Sequence, residues 1–136
     1  MGGRSAGDLA VEVTQVVDGD TVKVRFMDTG IADTVRIIGM DSPEMGHRDR
    51  KPEPGAIEAT ARARQLLEGR KIILRPDPAN SAIGHRDRYK RLLAHLILPD
   101  GSFFAETMIR ENHATALLHF PFDAELMKRY QKIENE

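Results

Sequence analysis

Val11-Glu12-Val13-Thr14-Gln15-Val16-Val17-Asp18-Gly19-Asp20-Thr21-Val22-Lys23-Val24-Arg25-Phe26-Met27 reads as two strands joined by a tight turn. Val11, Val13 and Gln15 alternate with Glu12, Thr14 and Val16 in a stretch rich in β-branched residues, the signature of a strand. Asp18-Gly19 supplies the turn, because glycine takes positive φ without a Cβ clash. Thr21 to Met27 then sets Val22, Val24 and Phe26 against Lys23 and Arg25, a second half-buried strand. Asp28-Thr29-Gly30 turns the chain again and Ile31 to Ile38 makes a third strand, so the chain opens as a β-meander.

Downstream, Gly39 to Pro54 carries three prolines, two glycines and many charges, which predicts a long loop of the kind that serves function. Pro54 is placed to open a helix, where a missing N–H is tolerated. Ala56, Ala59, Ala63, Leu66 and Leu67 form its apolar stripe, and Gly69 stops it. Lys71 to Arg75 is a fourth strand, a polar loop follows Pro76-Asp77-Pro78 to about Arg88, and Arg91 to Leu98 is a fifth strand. A short helix is predicted over Ala105 to Glu111, left through Asn112. Asp123 caps a last helix carrying Leu126, Met127, Tyr130 and Ile133. This order predicts a mainly β fold with helices: an α+β protein built on a five-stranded Greek-key β-barrel of the OB type, with about three α-helices. Residues 9–136 are expected to form one domain, and residues 1–8 a disordered N-terminal segment or an expression remnant.

Composition limits the available chemistry. At 136 residues the chain suits one hydrophobic core, and 40% hydrophobic with 30% charged residues describes a globular domain. No apolar run approaches the ~20 residues that span a bilayer, so no membrane role is expected. The absence of cysteine excludes disulfides, thiolate nucleophiles and cysteine-bound zinc. The compartment stays open: secreted or periplasmic if a leader was removed, cytoplasmic if the chain is complete. A net charge of −1 argues against a uniformly basic nucleic-acid binder. The cations are clustered, however, in His47-Arg48-Asp49-Arg50-Lys51 and His85-Arg86-Asp87-Arg88-Tyr89-Lys90-Arg91. Folded to one face, these runs would make a local positive cleft.

Asp18-Gly19-Asp20-Thr21 alone is hairpin punctuation, and Asp41-Ser42-Pro43-Glu44 alone is a turn before a loop. Arg36 says more, because it interrupts the apolar run Val35, Ile37, Ile38. A strand guanidinium directed into a barrel mouth needs an anionic partner; either a ligand or an internal carboxylate, Asp20 or Asp41, satisfies it. Tyr89 among cations suits base or sugar stacking beside a phosphate clamp. The histidines lack paired metal-ligand spacing, and no serine sits in a nucleophile elbow.

Taken together, Val16-Val17-Asp18-Gly19-Asp20-Thr21, Arg36-Ile37-Ile38-Gly39-Met40-Asp41-Ser42-Pro43-Glu44 and Asp87-Arg88-Tyr89-Lys90-Arg91-Leu92-Leu93-Ala94 resemble the staphylococcal nuclease (thermonuclease) family, from about Val11 to His119. The resemblance implies an OB-fold barrel that hydrolyses DNA and RNA with calcium, cutting at the 5′-oxygen side to leave 3′-phosphates. It assigns Asp20, Asp41 and the main-chain carbonyl of Ser42 to the metal, Glu44 to the general base, and Arg36 and Arg91 to the phosphate. It places Arg88, Tyr89, Leu93, Leu118 and Phe120 on the substrate. Single-stranded or unstacked regions are the expected substrate, and a monomer the expected state. Two departures stand out. Lys90 sits where the family commonly has glycine, and would be strained if φ is positive there. Leu118 and Phe120 replace tyrosines. The rival reading is a non-catalytic nucleic-acid-binding OB-fold module, which the full set of acids and arginines disfavours.

Overall fold

β1 (Leu9–Asp18) and β2 (Thr21–Phe26) pair antiparallel through the Asp18↔Thr21 turn, in a computed structural model that describes residues 7–136. Of the N-terminal segment expected over residues 1–8, only Gly7 and Asp8 fall within the described residues, and Asp8 is tied to Arg75 by an ion pair. β3 (Ala32–Ile37) continues the meander against β2. β4 (Met40–Asp41), α1 (Ala56–Leu67), β5 (Lys71–Arg75), β6 (Leu92–Ile97), α2 (Phe104–Arg110), β7 (Thr115–Ala116) and α3 (Ala124–Glu134) follow. Five strands close a barrel in the order β1-β2-β3-β6-β5, with β5 returning to β1 and β3 lying parallel to β6. This is the five-stranded barrel with helices expected from the sequence.

The interior is filled by alternate strand residues, Val11, Val13, Val22, Val24, Val35, Ile37, Leu74 and Leu96, all essentially inaccessible. At about 25 cal/mol per Å² of apolar area, burial of such side chains is the main stabilising term. One expectation needs correcting. The alternation that put Gln15 with Val11 and Val13 breaks at a register shift between Val13 and Gln15, so Val16 is buried and Gln15 faces out. An inserted residue flips the faces beyond it.

α1 packs on β1 through Ala56, Ala59, Ala63 and Leu67, and Gly55, rather than Pro54, occupies its N-cap. α3 begins where the Asp123 carboxylate accepts from the Leu126 N–H at 3.0 Å, and buries Tyr130 and Ile133. The region read as a polar loop winds into a 3₁₀ helix over Pro78–Ile83, because the Asp77 carboxylate accepts from the Ala79 N–H and Gly84 exits at φ 66°. The two-residue β4–β7 pair was not foreseen. Too short for a periodic signal, it joins Met40 to Ala116 and Asp41 to Thr115. Gly39, at φ 88°, makes the approach to β4 possible: a Cβ there would lie 2.7 Å from the Tyr130 ring.

Candidate active site

The site is assembled where the β1–β2 turn, the end of β3 and the turn before β6 meet. Asp20 leaves the β1–β2 turn with only 5% of its surface exposed. One carboxylate oxygen accepts from the Thr21 hydroxyl at 3.0 Å and the other from the Ser42 N–H at 2.9 Å. Asp18 is more than a turn residue, since its Oδ1 accepts from the Met45 N–H at 2.9 Å across 27 residues. The neck of the following loop is clamped: the Glu44 N–H donates to the Glu53 carboxylate at 2.7 Å, and the Glu53 N–H to the Glu44 carbonyl at 2.9 Å. Three carboxylates thereby fix the start of the loop that carries Glu44.

Arg36 lies at the end of β3, where Thr21 and Leu93 flank it in the neighbouring ladders. Its Nη1 donates to the carbonyls of Ile37 at 2.8 Å and Met40 at 3.0 Å. Its Nη2 faces Asp20 at 3.5 Å and Asp41 at 3.4 Å. The backbone bonds hold one edge of the guanidinium and direct the other between the two aspartates. Burial and the adjacent Asp20 carboxylate push the Asp41 carboxyl above the ordinary carboxylate range, against the pull of Arg36. Two like charges this close favour a proton or a cation between them.

Arg91 is held by Asp87. The Asp87 Oδ2 accepts from Arg91 Nε at 2.7 Å, and its Oδ1 accepts from the Tyr89 and Arg91 N–H groups at 2.9 Å each. The turn is braced from outside by Arg86, which donates to the Lys90 carbonyl at 2.8 Å and pairs with Asp33 at 2.7 Å. That guanidinium holds the Asp33 carboxyl below its usual range. Within the turn Lys90 takes φ 67°, the left-handed conformation that glycine at this position would reach without strain. The Arg91 and Arg88 guanidiniums lie 5.3 and 4.8 Å from the centroid of the exposed Tyr89 ring.

A cavity of about 490 Å³ joins these groups. Its acidic wall is Asp18, Asp20, Asp41 and Glu44; Arg36, Arg88, Tyr89 and Arg91 face the same space, and Asp87, His119 and Phe120 also line it. Of the expected site residues, Asp20, Asp41, Glu44, Arg36, Arg91, Arg88, Tyr89 and Phe120 are thus brought together. Three do not line the cavity. Ser42 is buried behind Asp20, where its N–H orients the carboxylate. Leu93 is wholly buried in the hydrophobic cluster, beside Arg36 in the β3–β6 ladder. Leu118 packs against the core, leaving His119 and Phe120 at the cavity. Asp87 and His119 were missed by sequence reasoning. The four-residue spacing of Asp87 and Arg91 was a usable signal for the first; nothing local marks His119.

Among the described residues no group of three or more His, Cys, Asp or Glu side chains is gathered as a metal cage. The Asp20–Asp41 pair nevertheless offers hard oxygen donors whose mutual repulsion a cation would relieve, which fits a divalent metal completed by carbonyl and water oxygens.

Residues 34–136 match a family profile described as "Staphylococcal nuclease homologue". The chain belongs to the staphylococcal nuclease family. Among curated members it is 31% identical over 126 residues to the "SPbeta prophage-derived endonuclease YokF" of Bacillus subtilis (strain 168), covering 93% of this chain and 40% of that protein. It is 29% identical to the "Endonuclease YncB" of the same organism, over 93% of this chain and 56% of that one. To the "Thermonuclease" of Staphylococcus hyicus it is 30% identical, over 86% of this chain and 64% of the relative. The chain thus spans about half the length of the first two relatives. In this member of the family, Asp20, Arg36, Asp41, Glu44 and Arg91 line one cavity.

Proposed function

We propose that this chain is a calcium-dependent nuclease, hydrolysing phosphodiester bonds in DNA and RNA on the 5′-oxygen side to leave 3′-phosphates. Residues 9–136 act as its single domain. The observation that carries the reading is one cavity in which Asp20, Asp41 and Glu44 face Arg36 and Arg91. Membership of the staphylococcal nuclease family, with relatives named endonuclease and thermonuclease, supports it.

In this reading Asp20, Asp41 and the Ser42 carbonyl hold calcium, a cation that accepts a few hard oxygens in loose geometry. Bound there, calcium supplies positive charge to a phosphate oxygen and lowers the barrier to attack. Glu44, on its clamped loop, takes the proton from an in-line water, a role typically worth about 10²–10⁴-fold in rate. Arg91, pinned through Nε, presents its remaining N–H donors to the phosphate, and Arg36 offers its Nη2 edge. Guanidinium forks grip harder as charge grows on the phosphate oxygens, so both favour the transition state. Tyr89 and Phe120 receive an unstacked base, which favours single-stranded substrate and a monomeric enzyme acting on one strand at a time.

The test is digestion of denatured DNA and of RNA with millimolar calcium or with chelator, followed by end-group analysis. Calcium-dependent cleavage leaving 3′-phosphates is expected. Glu44→Gln should retain substrate binding and lose at least 100-fold in turnover, since a general base contributes about 10²–10⁴-fold. Gel shifts without cleavage in calcium would replace this reading with a non-catalytic nucleic-acid-binding module.

A further inference from the structure

Resting on the nuclease reading, we propose that His119 is a specificity-determining residue, receiving the nucleobase beside the scissile phosphate. The segment between β7 and α3 is a short strap fastened at both ends. At its start the Leu117 N–H donates to the Gly39 carbonyl at 2.9 Å. At its end Asn80 Nδ2 donates to the Pro121 carbonyl at 3.1 Å, and the Asp123 N–H donates to the Asp77 carboxylate at 2.9 Å. Phe122 is buried beside Tyr130, with ring centroids 5.7 Å apart. These ties leave His119 and Phe120 as the residues of the strap that reach the cavity.

The two rings meet edge to face, centroids 5.1 Å apart at 75°. Phe120 is half-buried against the core and backs the exposed imidazole. Among the described residues His119 makes no hydrogen bond or ion pair, so its ring nitrogens are uncommitted. It is also the only histidine lining the cavity among those residues. Every other polar group there is a carboxylate, a guanidinium or a hydroxyl. The imidazole therefore adds what they lack: a flat face for stacking and ring nitrogens that can donate or accept at a base edge.

Stacking of one base on an aromatic ring is worth about 1–3 kcal/mol, equivalent to roughly 5- to 150-fold in affinity. Short single-stranded oligonucleotides carrying one 2-aminopurine serve as both substrate and fluorescent probe of stacking. His119→Ala should raise KM at least fivefold with kcat within about twofold, and should abolish 2-aminopurine quenching in the bound complex. His119→Phe should restore KM and quenching while flattening the preference among the four homopolymers. Because the residue is exposed, both variants should melt with the parent protein. The inference is overturned if His119→Ala leaves KM and quenching unchanged, or if it lowers kcat at constant KM, which would place His119 in the chemistry instead. A parent protein that quenches the probe through His119 without cleaving it would sink the nuclease reading and keep this one. Cleavage that ignores His119 would do the reverse.

Discussion

Lys90 holds φ 67° so that the turn Asp87-Arg88-Tyr89-Lys90 can close, its N–H donating to the Asp87 carbonyl at 2.9 Å. A left-handed conformation costs a residue with a Cβ about 1–2 kcal/mol, offset in a glycine variant by about 0.5–1 kcal/mol of unfolded-state freedom. Lys90→Gly should therefore stabilise the fold by about 0.5–1 kcal/mol in chemical denaturation. A loss of stability would mean that the lysine side chain itself supports the turn. Asp87, whose side chain is 2% exposed, is the hub of the same turn. Asp87→Asn keeps an oxygen for the Tyr89 and Arg91 amides but sets an NH₂ group against Arg91 Nε. A hydrogen bond to a charged group is worth about 1.5–3 kcal/mol, so kcat should fall about 10- to 100-fold on the nuclease reading. In an Arg91→Ala background the same change should have little further effect; full additivity would show that Asp87 acts elsewhere.

At the scale of elements, Asp77 ties three pieces together. Its carboxylate accepts from the Ala79 N–H of the 3₁₀ helix, from the Asp123 N–H before α3, and from His95 Nε2 of β6, each at 2.9 Å. Burial raises the Asp77 carboxyl, but these hydrogen bonds outweigh it and the net shift is downward. Burial lowers the His95 imidazole, more than Asp77 raises it, so the folded ring is neutral below its ordinary 6.5. Both signs agree. The unfolded chain binds the His95 proton first as pH falls below about 6.5, and the Asp77 proton below about 4, so each contribution is present at neutral pH and lost in acid. Melting temperature should decline from pH 6.5 to 5, and His95→Gln should flatten that segment while leaving the steeper loss below pH 4. A His95→Gln variant with the parent's slope between pH 5 and 6.5 would assign the slope to another group. α2 and α3 are joined similarly by Glu106, which pairs with both Arg110 and Arg129; these guanidiniums hold its carboxyl below the usual range.

For the whole molecule, barrel closure is the event that creates the site. Asp20 and Asp41 are 21 residues apart in sequence, yet Arg36 spans both within 3.5 Å. A native state that gathers like charges should gain stability from a ligand that neutralises them. Calcium with a nucleoside phosphate, each at about 100 times its dissociation constant, should raise stability by about 2.7 kcal/mol or more, a melting shift on the order of 10 °C. The pair should exceed the sum of either alone, because a cation at Asp20 and Asp41 and a phosphate at Arg36 and Arg91 would each relieve the charge that opposes the other. Absence of any shift with both present would remove the Asp20–Asp41 pair as a cation site.

The strands of the barrel were legible in the sequence because period-two burial and Asp-Gly punctuation are local. The helices were legible from their apolar stripes and from caps such as Asp123. Asp20, Arg36, Asp41, Glu44 and Arg91 were legible only as a set, since each alone is an ordinary turn or strand residue. What tertiary structure decided was direction. A bulge in β1 exchanged Gln15 for Val16, and the parallel β3–β6 ladder set Leu93 beside Arg36, where it is wholly buried. A strap fixed to Gly39 and Asn80 brought His119, rather than Leu118, to the cavity. The Asp87 carboxylate selected one pose for Arg91. Local pattern determines which residues can share a face, but a side chain's aim depends on partners distant in sequence, and those contacts exist only once the barrel has closed.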